Sequence, residues 1–136
     1  MKENTLGFSI QIEVPFELAI ERVLALLKDE GFGLLTEIDV QMTMKQKLNV
    51  DFRPYRILGV CNPPFAYRAL SLAAHIGLLM PCNVVADSIT PNLTEISFFN
   101  PLLMASLGDV PELEEDARGA RQRLERVADK LEKGLS

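Results

Sequence analysis

Two amphipathic stripes stand near opposite ends of the sequence, and most of the chain between them has the pattern of strands. In PFELAIERVLALLKDEG the residues Phe16, Ala19, Ile20, Val23, Leu24 and Leu27 recur every three or four positions behind Pro15. That spacing predicts a helix over 16–30, opened by the proline and stopped by Gly31 in the left-handed region. Near the other end Leu113, Ala117, Ala120, Leu124, Val127 and Leu131 form one stripe, which predicts a helix over 111–133. Asp109 and Glu112 have the spacing of a capping box for it, and its other face is a solvated mix of acids and bases. Helices this far apart, with strands running on between them, predict an antiparallel sheet with helices packed on one face.

The strands follow from alternation. Phe8, Ile10 and Ile12 alternate with Ser9, Gln11 and Glu13, the period of a half-buried strand. FGLLTEID reads as a second strand. VQMTMKQKLN fits either period and is read as a short helix, because Asp39 can cap its start and Asn49 tolerates the left-handed conformation that ends it. YRILGVC is the third strand, after which Asn62 and Pro63 have the chemistry of a helix N-cap and first position. LLMPCNVVAD is the fourth, with Pro81 confined to a strand start, an edge or a bulge because it donates no N–H. TPN turns the chain into the fifth, LTEISFF, and Asn100 and Pro101 repeat the cap-then-proline device before LLMASLG. The expected fold class is therefore α+β, a two-layer protein with a five-stranded, mostly antiparallel sheet.

Strands three and four carry apolar residues on both phases: Ile57, Leu58 and Val60, then Leu79, Met80, Val84 and Val85. The second sheet face is thus expected to be covered, by short helices or by a second subunit. Leu102, Leu103 and Leu107 also lack an obvious cover, and a homodimer is expected. A chain of 136 residues with 48% hydrophobic content predicts one domain over 1–136. Its apolar runs are too short to cross a bilayer and MKENTLGFSI lacks a basic-then-apolar leader, so a soluble, cytoplasmic protein with no membrane contact is expected. A net charge of −5 argues against nucleic acid as a partner.

Local charge differs from the total. Lys45, Lys47, Arg53, Arg56 and Arg68 face a single acid, Asp51, between positions 45 and 68. They are either ordinary surface or the wall of a pocket for a small anionic ligand, joined by Tyr67 and by the helix that starts at Asn62. Pro63 and Pro64 weaken the second reading by deleting two backbone donors. The chain's two cysteines sit in matching settings, Cys61 before Asn62 and Cys82 before Asn83. In a reducing compartment they are expected as thiols. Cys61, just ahead of a helix, is a candidate nucleophile with Cys82 as its partner; the alternative is that both simply pack as small apolar residues. His75 with the two cysteines gives one ligand too few for zinc and no relay with an acid, so neither a metal, a cofactor nor a hydrolase is expected. Glu37 and Asp39 are read as a surface residue and a cap.

The segments GFGLLTEIDVQMTMKQKL, DFRPYRILGVCNPPFAYRAL and GLLMPCNVV together resemble the family called domain of unknown function 302, over roughly residues 6–100. The resemblance implies a fold like one half of the TATA-box-binding protein, β-α-β(4)-α, frequently dimeric, with no established activity. It also implies that Asn62, Pro63 and Pro81 are framework and that Cys61 and Cys82 belong to a subgroup, so thiol chemistry would be a specialisation. Two functions stay open: a non-enzymatic dimeric ligand-binding or interaction module, and a small thiol redox or sulfur-handling protein using Cys61 with Cys82. No catalytic motif is recognisable.

Overall fold

Asn4 bends the first residues back on themselves: its side chain accepts hydrogen bonds from the backbone N–H groups of Leu6 and Gly7 at 2.8 and 3.0 Å. The turn returns a two-residue strand, β1 (Lys2–Glu3), to pair antiparallel with β2 (Gly7–Ile12). This gives the sheet six strands where five were expected, because two polar residues carry no alternation to read. The structure, a computed structural model, describes residues 1–134, so the last two positions of the expected 1–136 domain lie outside it.

The chain continues through α1 (Phe16–Asp29), β3 (Gly33–Asp39), α2 (Val40–Leu48), β4 (Tyr55–Cys61) and α3 (Pro63–Leu72). A 3-10 segment, Ala74–Leu79, leads to β5 (Cys82–Thr90), β6 (Leu93–Phe99), α4 (Leu102–Ser106) and α5 (Glu114–Glu132). Strand order is β1-β2-β6-β5-β4-β3 and every pairing is antiparallel. The run β2-α1-β3-β4-β5-β6-α5 spells the expected β-α-β(4)-α order, with α2, α3 and α4 inserted in it.

Local signals act as read. Asp39 accepts from the Met42 N–H at 3.0 Å, Asn49 ends α2 at φ 55, and Gly31 follows α1 at φ 87. Boundaries differ most at two places. The fourth strand starts at Cys82, because Leu79 belongs to the 3-10 segment and Pro81, joined to Met80 by a cis peptide, cannot enter a ladder. The last helix starts at Glu114 after a 3-10 turn over Pro111–Leu113, and Asp109 adopts φ 54 instead of capping it.

One sheet face meets the helices. Phe8, Leu58, Val60, Ile96 and Phe98 are buried there against Val23 and Leu27 of α1 and Leu124 and Val127 of α5. The Phe8 and Phe98 rings stack at 5.1 Å, as their direct pairing in register requires. Burial of each such side chain contributes about 1.5–3 kcal/mol. Across the other face runs one transverse row, Ser9, Ser97, Val85, Ile57 and Ile38, each opposite the next. Its serines bond to each other at 2.8 Å, while Ile57 and Val85 are only half-buried and Ile38 is exposed.

Candidate functional site

Where β4 ends, Asn62 shapes everything that follows. Its side-chain oxygen accepts from the Phe65 N–H at 3.1 Å, and its backbone carbonyl accepts from the Ala66 N–H at 2.9 Å. With Pro63 and Pro64 in the first two helical positions, this end of α3 has no backbone donor left over. Arg68 and Arg123 line a groove beside Asn62, in company with Glu115 and Asp116, but no backbone N–H is left there for an anion.

Of the basic residues only Arg68 lies on that helix; Lys47, Arg53 and Arg56 stand elsewhere. Arg56 precedes Cys61 by five residues of extended strand, roughly 17 Å at the ordinary rise. It is neutralised where it stands, by Glu17 at 2.9 Å, Glu37 at 3.2 Å and Asp39 at 3.9 Å. Arg53 forks onto Asp87, with Nε–Oδ1 2.6 Å and Nη2–Oδ2 3.1 Å, and lies over the Phe52 and Tyr55 rings. Lys47 is exposed near the end of α2, and Tyr67 is 78% exposed on α3. Arg68 pairs with Asp116 at 2.6 Å. Asn83 points to the open sheet face, beside Tyr55, Val85 and Phe99. The expected anion pocket of Lys47, Arg53, Arg56 and Tyr67 is therefore not assembled: carboxylates remote in sequence hold the two arginines.

What the fold does bring together is sulfur. A cavity of about 230 Å³ opens between the ends of β4 and β5, α3 and α4. Val60 and Cys82 line it from β4 and β5, Pro81 from just ahead of β5, Phe65 and Ala66 from α3, and Leu35 from β3. Cys61, Met80 and Met104 complete it, with Asn62 at its polar edge. Both cysteines are free thiols, Cys61 half-buried and Cys82 buried. Burial pushes the Cys61 thiol up. Cys82 is pushed up to about 12, chiefly by burial and further by the neighbouring Cys61. The direction at Cys61 is opposite to that expected from a helix N-terminus, since Asn62 and the prolines have already used or removed the donors that would favour a thiolate.

His75 stays outside the cavity, its Nε2 3.4 Å from the Gly108 carbonyl. Among the described residues no three His, Cys, Asp or Glu side chains are grouped to hold a metal ion. Met80 and Met104 are site residues that sequence reasoning missed. Met104 reads as one apolar residue of a short helix, and nothing in its spacing ties it to a strand twenty residues away.

The profile of the family described as Domain of unknown function DUF302 matches residues 8–131. The chain belongs to the DUF302 family. The match extends through α5, so the C-terminal helix is part of the family's fold. Among solved structures, the chain resembles an uncharacterised conserved DUF302 protein from Bacillus stearothermophilus. The TM-score is 0.83 at 29% identity, over 94% of this chain and 99% of the other. No curated protein matches. The chain is thus an α+β protein with helices on an antiparallel sheet, and among its described residues no helix is long and apolar enough to cross a membrane.

Proposed function

We propose that this DUF302 protein is a non-enzymatic binding module of a reducing, cytoplasmic setting, dimeric through its open sheet face, whose ligand enters the sulfur-lined cavity. The cavity's composition carries the reading. It is apolar apart from Asn62 and two thiols, Asn62 is already engaged by Phe65, and no acid–base pair faces it. A volume of about 230 Å³ suits a fragment-sized apolar or soft ligand. The dimer is supported by the apolar half of the open face, where Ile38, Ile57 and Val85 stand in register.

Methionine methyl groups report on the cavity directly. In a ¹³C-methyl spectrum titrated with indole as an apolar probe, the Met80 and Met104 signals are expected to shift saturably while Met1, Met42 and Met44 stay fixed. Absence of a saturable shift at Met80 and Met104 overturns the reading.

A second reading, thiol or sulfur handling by Cys61 with Cys82, is supported by both residues lining one cavity. The raised thiol pKa values weigh against it, because the thiolate is the reacting form.

A further inference from the structure

Cys61, Met80, Cys82 and Met104 come from the end of one strand, the 3-10 segment's end, the start of the next strand and a helix some twenty residues later, yet all four line the same cavity. We propose that this cavity is a binding site for a soft monovalent cation of the Cu(I) type, held by thiolate and thioether sulfur. The inference rests on the cavity being the ligand site and names the class of ligand.

Three features favour such an ion. Thiolate and thioether are the ligand types that select Cu(I), whereas magnesium and calcium need oxygen. The one side-chain oxygen at the edge, Asn62 Oδ1, accepts from Phe65 and is not free to coordinate. Ligand softness separates Cu(I) from zinc, which is ordinarily completed by imidazole, carboxylate or further thiolates and not by thioether. Each thiol that binds gives its proton to water as the S–Cu bond forms, so one thiolate with neutral thioethers makes an uncharged site. That suits walls of Val60, Phe65, Ala66 and Leu35, where uncompensated charge is costly. Zinc would need further anionic or imidazole ligands, and among the described residues no third His, Cys, Asp or Glu joins the thiols. Oxidation state does not change on binding, so no further reactant is involved. Cys82 and Met104 are buried while Cys61 is half-exposed, which places the entry side at Cys61.

The test titrates the whole protein anaerobically with Cu(I), kept reduced by ascorbate, against a chromogenic Cu(I) chelator. One Cu(I) per chain is expected, with a sulfur-only coordination shell in X-ray absorption. Replacing both thioethers by apolar side chains of similar volume, Met80→Leu with Met104→Leu, preserves packing and is expected to weaken Cu(I) retention at least about tenfold. Cys61→Ser is expected to abolish it, and a thermal melt of each variant confirms folding. Loss of all Cu(I) to the chelator overturns the proposal, as does a nitrogen or oxygen shell, or unchanged retention by the double leucine variant. The indole titration on the same sample separates this from the broader reading. Indole binding without Cu(I) retention overturns the metal alone, failure of both overturns the site, and Cu(I) that blocks the indole shift supports both.

Discussion

Val60 stands directly opposite Cys82 in the β4–β5 register. Both side chains are therefore buried on the helix side of the sheet, while Cys61, one residue beyond Val60, sits half-buried at the strand end. Two residues that look equivalent in sequence occupy different environments. Cysteine labelling of the native protein should show it: Cys61 reacts first, Cys82 only on unfolding. Both should react more slowly than free cysteine at neutral pH, because burial pushes each thiol up. Peptide mapping after timed iodoacetamide treatment reads the order. A Cys61 faster than free cysteine would restore the nucleophile reading.

Stability should fall on the alkaline side. From the ordinary thiol pKa of about 8.5, an unfolded chain gives up the Cys82 proton. The folded chain keeps it until about 12. Over that window the folded state binds more protons, so its stability is full below the window and is lost as pH rises through it. Lysine and tyrosine titrate there too, so the comparison is between wild type and Cys82→Ala. The variant should start less stable and lose less between neutral pH and pH ~10 by urea unfolding. Parallel curves would contradict the assignment.

Gly59 is expected to resist any side chain. It lies opposite Asn83 and Thr36 on the open face, and a Cβ there would stand 2.8 Å from Pro81 Cγ and closer still to Thr36 Oγ1. Gly59→Ala should cost about 1–3 kcal/mol by overpacking. Thr36→Ala in the same chain should recover part of that cost. A denaturation midpoint unchanged by Gly59→Ala would show that Pro81 and Thr36 yield freely.

Self-association is expected to depend on the open face. Val85→Lys puts a charge in the middle of the row Ser9, Ser97, Val85, Ile57, Ile38 without touching the helix side. Sedimentation should give a dimer for wild type and a monomer for the variant, at protein concentrations on the order of tens of micromolar. A monomeric wild type there, or a dimer that Val85→Lys leaves intact, would contradict the interface.

Much of the fold is legible because its causes are local. Asp39, Asn49 and Asn62 each do at their helix ends what their side-chain chemistry dictates. Alternation finds LTEISFF and YRILGVC at their full lengths. The six-strand count is not legible, since β1 exists through Asn4 and not through its own two residues. The site is less legible than the fold for the same reason. Both thiols can be named from the sequence, but the cavity depends on Met104 arriving from α4. The basic stretch misleads because Asp87, thirty-four residues away, neutralises Arg53, and Glu17, thirty-nine away, neutralises Arg56.

The two rims of the sheet are each made unfit for further pairing. β1 is only two residues long, and Arg121 of α5 ties down its Glu3. β3 is exposed along nearly all its length, but its register slips between Leu34 and Thr36, and Glu37 and Asp39 place charged side chains along it, shared with Arg56. A slipped, charged rim is a poor template for another strand. Growth by rim-to-rim addition, which has no natural stopping point, is thereby suppressed. In the proposed dimer, contact between flat faces under twofold symmetry would terminate after a single partner, so an open sheet face would carry no route to fibres.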